Sequence, residues 1–293
     1  MSVGTVPIES AGALGTAGAD IRRDFLRELT HQKAFMVGVV ILGFWILAAI
    51  FGSLIVQDPL AQALSSINKA PSGAHLFGTD QYGRDVLARV IVGSRPILIA
   101  APLATLLGTV LGTALGLVMG YFRGAVDDII GRFVEAFLAL PLVVTGILGV
   151  VALGETNATL IIVIGIVFTP LIARTVRAAV LQERDLDYVA AARLRGETAL
   201  YIMFAEILPN ILAPIMVEFT VRLGYAVFTI VSLSFLGFGL QPPDPNWGSE
   251  IANNYGLVTA GYWWETLFDA LAVATLVIGV NMLANSIERA LDA

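Results

Sequence analysis

The sequence predicts an all-α membrane protein that crosses a bilayer six times, and three observations carry that prediction. Hydrophobic residues make up 57% of the 293 positions and charged residues only 14%, with a mean hydropathy of +0.83, which is too apolar for a soluble domain. Apolar stretches of about twenty residues recur along the chain, the length a helix needs to cross a hydrocarbon core of ~30 Å. Polar segments with Gly and Pro separate them.

In chain order, residues 1–20 are rich in Gly, Ala, Ser and Thr without periodicity, and such a segment is expected to be disordered. The basic stretch 21–33 holds Arg22, Arg23, Arg27 and Lys33. It suits a short helix on an anionic membrane surface, or a plain positive-inside anchor. Residues 34–56 form the first span, too long for a signal-peptide core. Residues 57–95 are expected to be an extracytoplasmic loop, with Pro59, Pro71, Gly73, Gly78 and Gly83, in which Asp80 or Asp85 pairs with Arg84 or Arg89.

The second span, 96–120, carries Gly108, Gly112, Gly116 and Gly120. Four-residue spacing aligns them on one helix face, where another backbone can approach closely. A polar link (121–132) leads to a third span, 133–153, kinked at Pro141. The turn Gly154-Glu155-Thr156-Asn157 precedes a fourth span, 158–180, containing Pro170. The fifth runs over 211–235 and the sixth over 266–287. Between them, Pro242, Pro243 and Pro245 stiffen the chain, and Tyr262, Trp263 and Trp264 suit an interface belt. The organisation is thus a tail (1–33), a first helix (34–56), a loop (57–95) and a five-helix core (96–293).

Residues 181–210 stand apart because they are neither apolar enough to span nor open enough to be a loop. Asp187 can cap a helix to about Leu194, Gly196 permits a turn, and Thr198 can cap a second helix ending near Pro209. A helical hairpin of this kind needs a surface to press on, and Ala190, Ala191 and Ala192 allow close approach. We take Asp187, Tyr188, Ala190, Ala191, Ala192, Arg193, Gly196, Leu208 and Pro209 as a docking element for another subunit. Basic residues fall mostly on its side of the bilayer: the 21–33 group, Arg123, Arg132, Arg174, Arg177, Arg184, Arg193, Arg195 and Arg289. Only Lys69, Arg84, Arg89 and Arg95 fall on the other. The positive-inside rule then places both termini and the hairpin in the cytoplasm.

Several chemistries are excluded. There is no cysteine, and the two histidines, His31 and His75, lie in different segments, so no metal site or catalytic residue is expected. Neither Lys33 nor Lys69 follows a glycine, so the chain has no phosphate-binding P-loop. It is not expected to be an enzyme or to bind a cofactor. The net charge of −6 is spread over termini and loops, and no nucleic-acid partner is expected. Ser232 and Ser234 have no activating base nearby. Glu218 and Arg222, four residues apart on the fifth span, stand in the order that favours pairing. They are either a structural pair or a pair lining a translocation path.

Certain motifs resemble a known family. The Ala190-Ala191-Ala192 run, Gly196 and Leu208-Pro209 resemble the ATPase-docking loop of ABC importer permeases, although Ala190 stands where that family usually has Glu and Glu206 is unusual. The Gly78-Thr79-Asp80 and Gly83-Arg84-Asp85 segments are similar to those of peptide/nickel-type permeases. The run from Ser232 to Pro243, Asn246-Trp247-Gly248 and Trp263-Trp264 resemble the C-type subunit of dipeptide and oligopeptide permeases. Asp269 replaces a usual Pro, and Asn285-Ser286 stands where an acidic residue is common.

The resemblance covers residues 21 to the end. It implies the type I importer permease fold, a bacterial plasma-membrane location and uptake of small peptides by alternating access. It also implies a second homologous permease, one or two cytoplasmic ATPases carrying ATP and Mg, a substrate-binding protein outside, and membrane lipid around the spans. Nickel chelates, haem or other small solutes are alternative cargo, and an ion-coupled secondary transporter is the rival of a different class.

Overall fold

The computed structural model describes residues 29–239 and 243–292. The tail, most of the 21–33 basic stretch and Gln241-Pro242 lie outside them. Five helices are long and apolar enough to cross a bilayer: α1 (Lys33–Ile55), α2 (Val86–Phe122), α5 (Asn157–Glu183), α8 (Leu212–Phe235) and α10 (Trp264–Asp292). The pair α3 (Gly124–Leu138) and α4 (Leu142–Leu153), bent by 93° at their break, is apolar enough together to be a sixth, broken span or a re-entrant loop. The remaining helices sit at the two ends of the bundle. The hairpin pair α6 (Asp187–Leu194) and α7 (Ala199–Asn210) is at one end, and α9 (Trp247–Asn254) is at the other, with the 57–85 segment. Among the described residues there is no strand, only a single bridge between Thr79 and Asp85.

Several boundaries differ from the sequence expectation. Residues 86–95 are not loop: α2 begins at Val86, where the Asp85 carboxylate accepts from the Ala88 amide at 2.9 Å and caps the helix. The helix carries Pro96 and Pro102 inside and does not break. The expected polar link at 121–132 is not a link, because α2 runs to Phe122 and α3 starts two residues later. Arg123, at φ +53, makes that corner. Pro141 caps α4 rather than kinking a continuous span, so the expected third span is two helices.

The core of the bundle is the α2–α5 seam. A Cβ on Gly108, Gly112, Gly116 or Gly120 would come within 2.9 Å or less of an α5 atom: the Gly165 carbonyl, the Ile172 Cβ, the Ala173 carbonyl or the Val180 Cβ. The partners advance with the glycines, so the two helices run parallel. Removing four side chains from one face brings the backbones into contact, the usual solution for helix association where no hydrophobic effect drives it. At 1.5 Å per residue the 37-residue α2 is ~55 Å long, far more than a bilayer core. It therefore ties the two ends of the molecule together.

Candidate functional site

The hairpin is built where the expected motif lies, with one change of detail. Asp187 is the first residue of α6 rather than its cap; Leu186 caps it with backbone alone. Asp187 remains in the first turn, where its charge suits the helix dipole. Thr198 caps α7 by accepting from the Tyr201 amide at 3.2 Å. Gly196 has φ +80 with nothing within 4 Å of where a Cβ would sit, so glycine is required by conformation and not by crowding. The second helix ends beside Pro209, as expected, at Asn210. Residues Ile202–Ile207 adopt π-helical geometry and α7 continues to Asn210, the extra residue relieving the clash and missing donor that proline brings to its preceding turn.

The hairpin is fastened to the bundle by basic side chains. Arg184 donates to the backbone carbonyls of Tyr121 and Gly120 at the end of α2, satisfying acceptors that a helix C-terminus leaves open. Arg123 pairs with Asp185 at 2.6 Å, and the two cations beside it, Arg123 first, hold the Asp185 carboxyl below its usual range. Arg193 lies over the Tyr121 ring, 5.5 Å from its centroid. Tyr188 donates to Glu183 at 2.6 Å; burial and that carboxylate push its hydroxyl up to about 12. Arg195 and Glu206 pair at 2.7 Å and tie α6 to α7, which accounts for the unusual glutamate.

Of the residues expected to dock, Val189's neighbour Ala192 is buried and Leu208 is half-buried against the core. Asp187, Ala190, Ala191, Arg193, Gly196 and Pro209 are exposed. The more conspicuous feature is apolar: Leu194 is 90% exposed, and Leu200, Phe204 and Tyr201 are exposed beside it. The alanine run drew the sequence reading away from these larger residues. The i, i+4 spacing of Leu200 and Phe204, with Leu194 just before the glycine turn, was the available signal.

On α8, Arg222 donates to Glu218 at 2.7 Å and its guanidinium lies 5.5 Å from the Tyr225 ring centroid. Glu218, Arg222 and Tyr225 share a partly open face, whereas Ile215, Ala226 and Ile230 of the same helix are buried.

At the opposite end lies a buried ionic assembly of which the sequence reading found half. Asp80 pairs with Arg84 at 2.6 Å as expected. Arg89 instead reaches Glu250 on α9, donating from Nε at 2.8 Å and again from its terminal nitrogen, and also donates to the Pro59 and Pro243 carbonyls. Asp85 accepts from its own helix and meets His75 Nδ1 at 2.8 Å. Trp264 does not sit in an interface belt. It is buried, donating to the Thr79 carbonyl at 3.1 Å, and Trp247 likewise donates to Val90 at 2.8 Å. Glu265 and Asp269 of α10 are buried in the same region, and both Glu265 oxygens and one Asp269 oxygen have no hydrogen-bond partner. Among the described residues no group of His, Cys, Asp and Glu is arranged to hold a metal.

Comparison with known proteins gives concordant results. Residues 112–293 match the family described as binding-protein-dependent transport system inner membrane component. Residues 21–71 match the N-terminal transmembrane domain of oligopeptide transport permease C. The chain is 34% identical to the dipeptide transport system permease protein DppC of Alkalihalophilus pseudofirmus, over 92% of this chain and 89% of that one. It is 36% identical to the protein of the same name in Escherichia coli, again over 92% of each. In fold it is similar to a chain of the inward-facing MetNI methionine ABC transporter, with a TM-score of 0.56 and 19% identity over 69% of this chain and 96% of that one.

Proposed function

Because the chain belongs to the binding-protein-dependent transport system inner membrane component family, with the type I ABC importer permease fold, we propose that it is one permease subunit of an importer of small peptides. In this reading a second, homologous permease completes the pore, a binding protein delivers cargo on the side of the 57–85 segment, and cytoplasmic ATPases grip the α6–α7 hairpin. The chain hydrolyses no ATP itself; ATP and Mg sit on the ATPases. Both termini lie in the cytoplasm of a bacterial cell.

The observation that carries the reading is the hairpin's division into two faces. One is locked by Arg184, Arg123 and Arg193 to the ends of α2 and α5; the other presents bare Leu194, Leu200 and Phe204. Truncating or covering such large apolar side chains matters most at a protein interface. A push on the bare face reaches α2 and α5 through ion pairs and helix-end hydrogen bonds, and the glycine seam moves those two helices as one body. We assign the open Glu218–Arg222–Tyr225 face of α8 to the translocation path, where a charged pair in a water-filled route costs least.

The test uses the absence of native cysteine. A cysteine replacing Ala190 cross-links to a cysteine in the ATPase groove, with a yield that changes on adding ATP, and the same vesicles take up dipeptide only with the binding protein present. Uptake driven by an ion gradient with no ATPase would overturn the reading.

A further inference from the structure

The bundle has a groove of about 470 Å³ among α1, α2, α8 and α10, whose walls include Ile46 and Ile50 of α1, Ile99 of α2, Leu223 of α8 and Val280 of α10. A single charged residue lines it, Arg95. Arg95 is exposed, and its side chain makes no hydrogen bond or ion pair among the described residues. We propose that this groove binds one anionic phospholipid, with the phosphate on Arg95 and an acyl chain along the apolar wall. This goes beyond transport and does not depend on which solute is carried.

Depth supports a headgroup contact. Arg95 precedes the end of α2, Phe122, by 27 residues, about 40 Å at 1.5 Å per residue, which matches a bilayer counted with its headgroups at ~40–45 Å. The end of α2 is marked as one membrane surface by the Arg184, Arg123 and Asp185 contacts. Arg95 therefore lies in the opposite headgroup layer. Gly52 of α1 packs on Ile91 of α2, so Ala48 is about level with Arg95, Ile50 stands at the rim just above it, and the groove descends from there towards the bilayer centre. A cation at the top and hydrocarbon below is the polarity of a phospholipid.

Two further features select the ligand. Ile46, Ile50 and Ile99 are each more than 40% exposed while lining the groove, so it opens on the side where α1, the least covered of the spans, shows its own apolar surface. The lining contains a guanidinium and no carboxylate, so a phosphodiester is met by charge and a headgroup ammonium is not. An anionic lipid is favoured over a zwitterionic one for that reason.

The experiment is native mass spectrometry of the purified transporter released from bilayers of equal phosphatidylglycerol and phosphatidylethanolamine. One phosphatidylglycerol is retained in preference. Arg95→Gln lowers the ratio of the two retained lipids about five-fold, Arg95→Lys keeps most of it, and Ala49→Leu, which narrows the groove, lowers retention of both with Arg95 intact. Glycerophosphoglycerol, a headgroup without chains, does not compete. Melting temperature is followed for each variant, and if Ala49→Leu has lost its fold it is replaced by Ile46→Trp, at a lining position that is 43% exposed. Equal retention of the two lipids, an unchanged ratio in Arg95→Gln, or competition by the chainless headgroup overturns the proposal. So does an Ile99→Cys variant that disulfide-links to a cysteine in the partner permease, since protein would then cover the groove.

Discussion

The two ends of this bundle handle charge in opposite ways. At the 57–85 end, Asp80, Arg84, Arg89 and Glu250 are all less than a tenth exposed and satisfy one another inside the chain, with two tryptophans donating to backbone across the same region. At the hairpin end the ion pairs are partly exposed, while large apolar side chains are bare at both ends, Leu194 and Leu200 here and Leu64 and Leu76 there. A buried, hydrogen-bonded ionic assembly fixes one geometry, because any rearrangement leaves a charge without its partner. An apolar surface held on a few surface ion pairs is free to be covered by another molecule. The Asp80–Arg84–Arg89–Glu250 assembly is therefore closed within this chain, whereas the hairpin's outer face is bare.

The sharpest way to break that contrast is Arg89→Ala. The substitution leaves buried Glu250 with only the longer Arg84 contact at 3.9 Å and removes the donors to the Pro59 and Pro243 carbonyls, a loss of about 3 kcal/mol. Thermal melting in detergent is expected to fall steeply and membrane abundance with it. The paired replacement Arg89→Met with Glu250→Leu recovers only the part of the loss due to the uncompensated carboxylate, since apolar residues can substitute for a buried pair but leave the Pro59 and Pro243 carbonyls without donors. If Arg89→Ala melts as the parent does, the first end is not the rigid one.

A gain is expected at the same end. Glu265 and Asp269 are 1% and 2% exposed, and three of their oxygens lack a partner. Replacing Asp269 by Leu removes an unsatisfied buried polar group and is expected to raise stability by about 1–3 kcal/mol, read as a higher melting temperature. A drop instead would mean that a partner chain or cargo supplies the missing hydrogen bond when the transporter is whole.

How much of this was legible in the sequence follows from which forces are local. The first, fourth, fifth and sixth spans, the glycine seam, the Thr198 cap and the Gly196 turn depend on periodicity, side-chain size or φ within a few residues, and these are found close to where the sequence places them. The Asp80–Arg84 pair is also local. Arg89 with Glu250, 161 residues apart, and Trp264 with Thr79, 185 apart, are set by how the bundle closes, and no spacing rule reaches them. The start of α2 was missed because an apolar threshold discounts Arg89 and Arg95. A helix that outruns the bilayer carries charge on turns where hydropathy finds only loop. The corner at Arg123 was missed because positive φ in a non-glycine residue has no composition signal.

The smallest effect on stability is expected at the other end, and it separates the two regions most cleanly. Leu194 is 90% exposed, so Leu194→Ala changes stability by no more than about 0.5 kcal/mol. If the bare face is where the ATPase sits, the same change removes an interface anchor and weakens docking by more than about 1 kcal/mol, at least several-fold in affinity. Melting temperature then stays put while ATPase copurification and peptide uptake fall. Val189, one turn away on α6 and fully buried, supplies the control: Val189→Ala lowers the melting temperature and uptake together. Leu194→Ala with full uptake would leave the hairpin as a structural brace, and the exposed leucine would then have to be covered by lipid. That outcome is testable by its loss of protection when the bilayer is replaced by detergent.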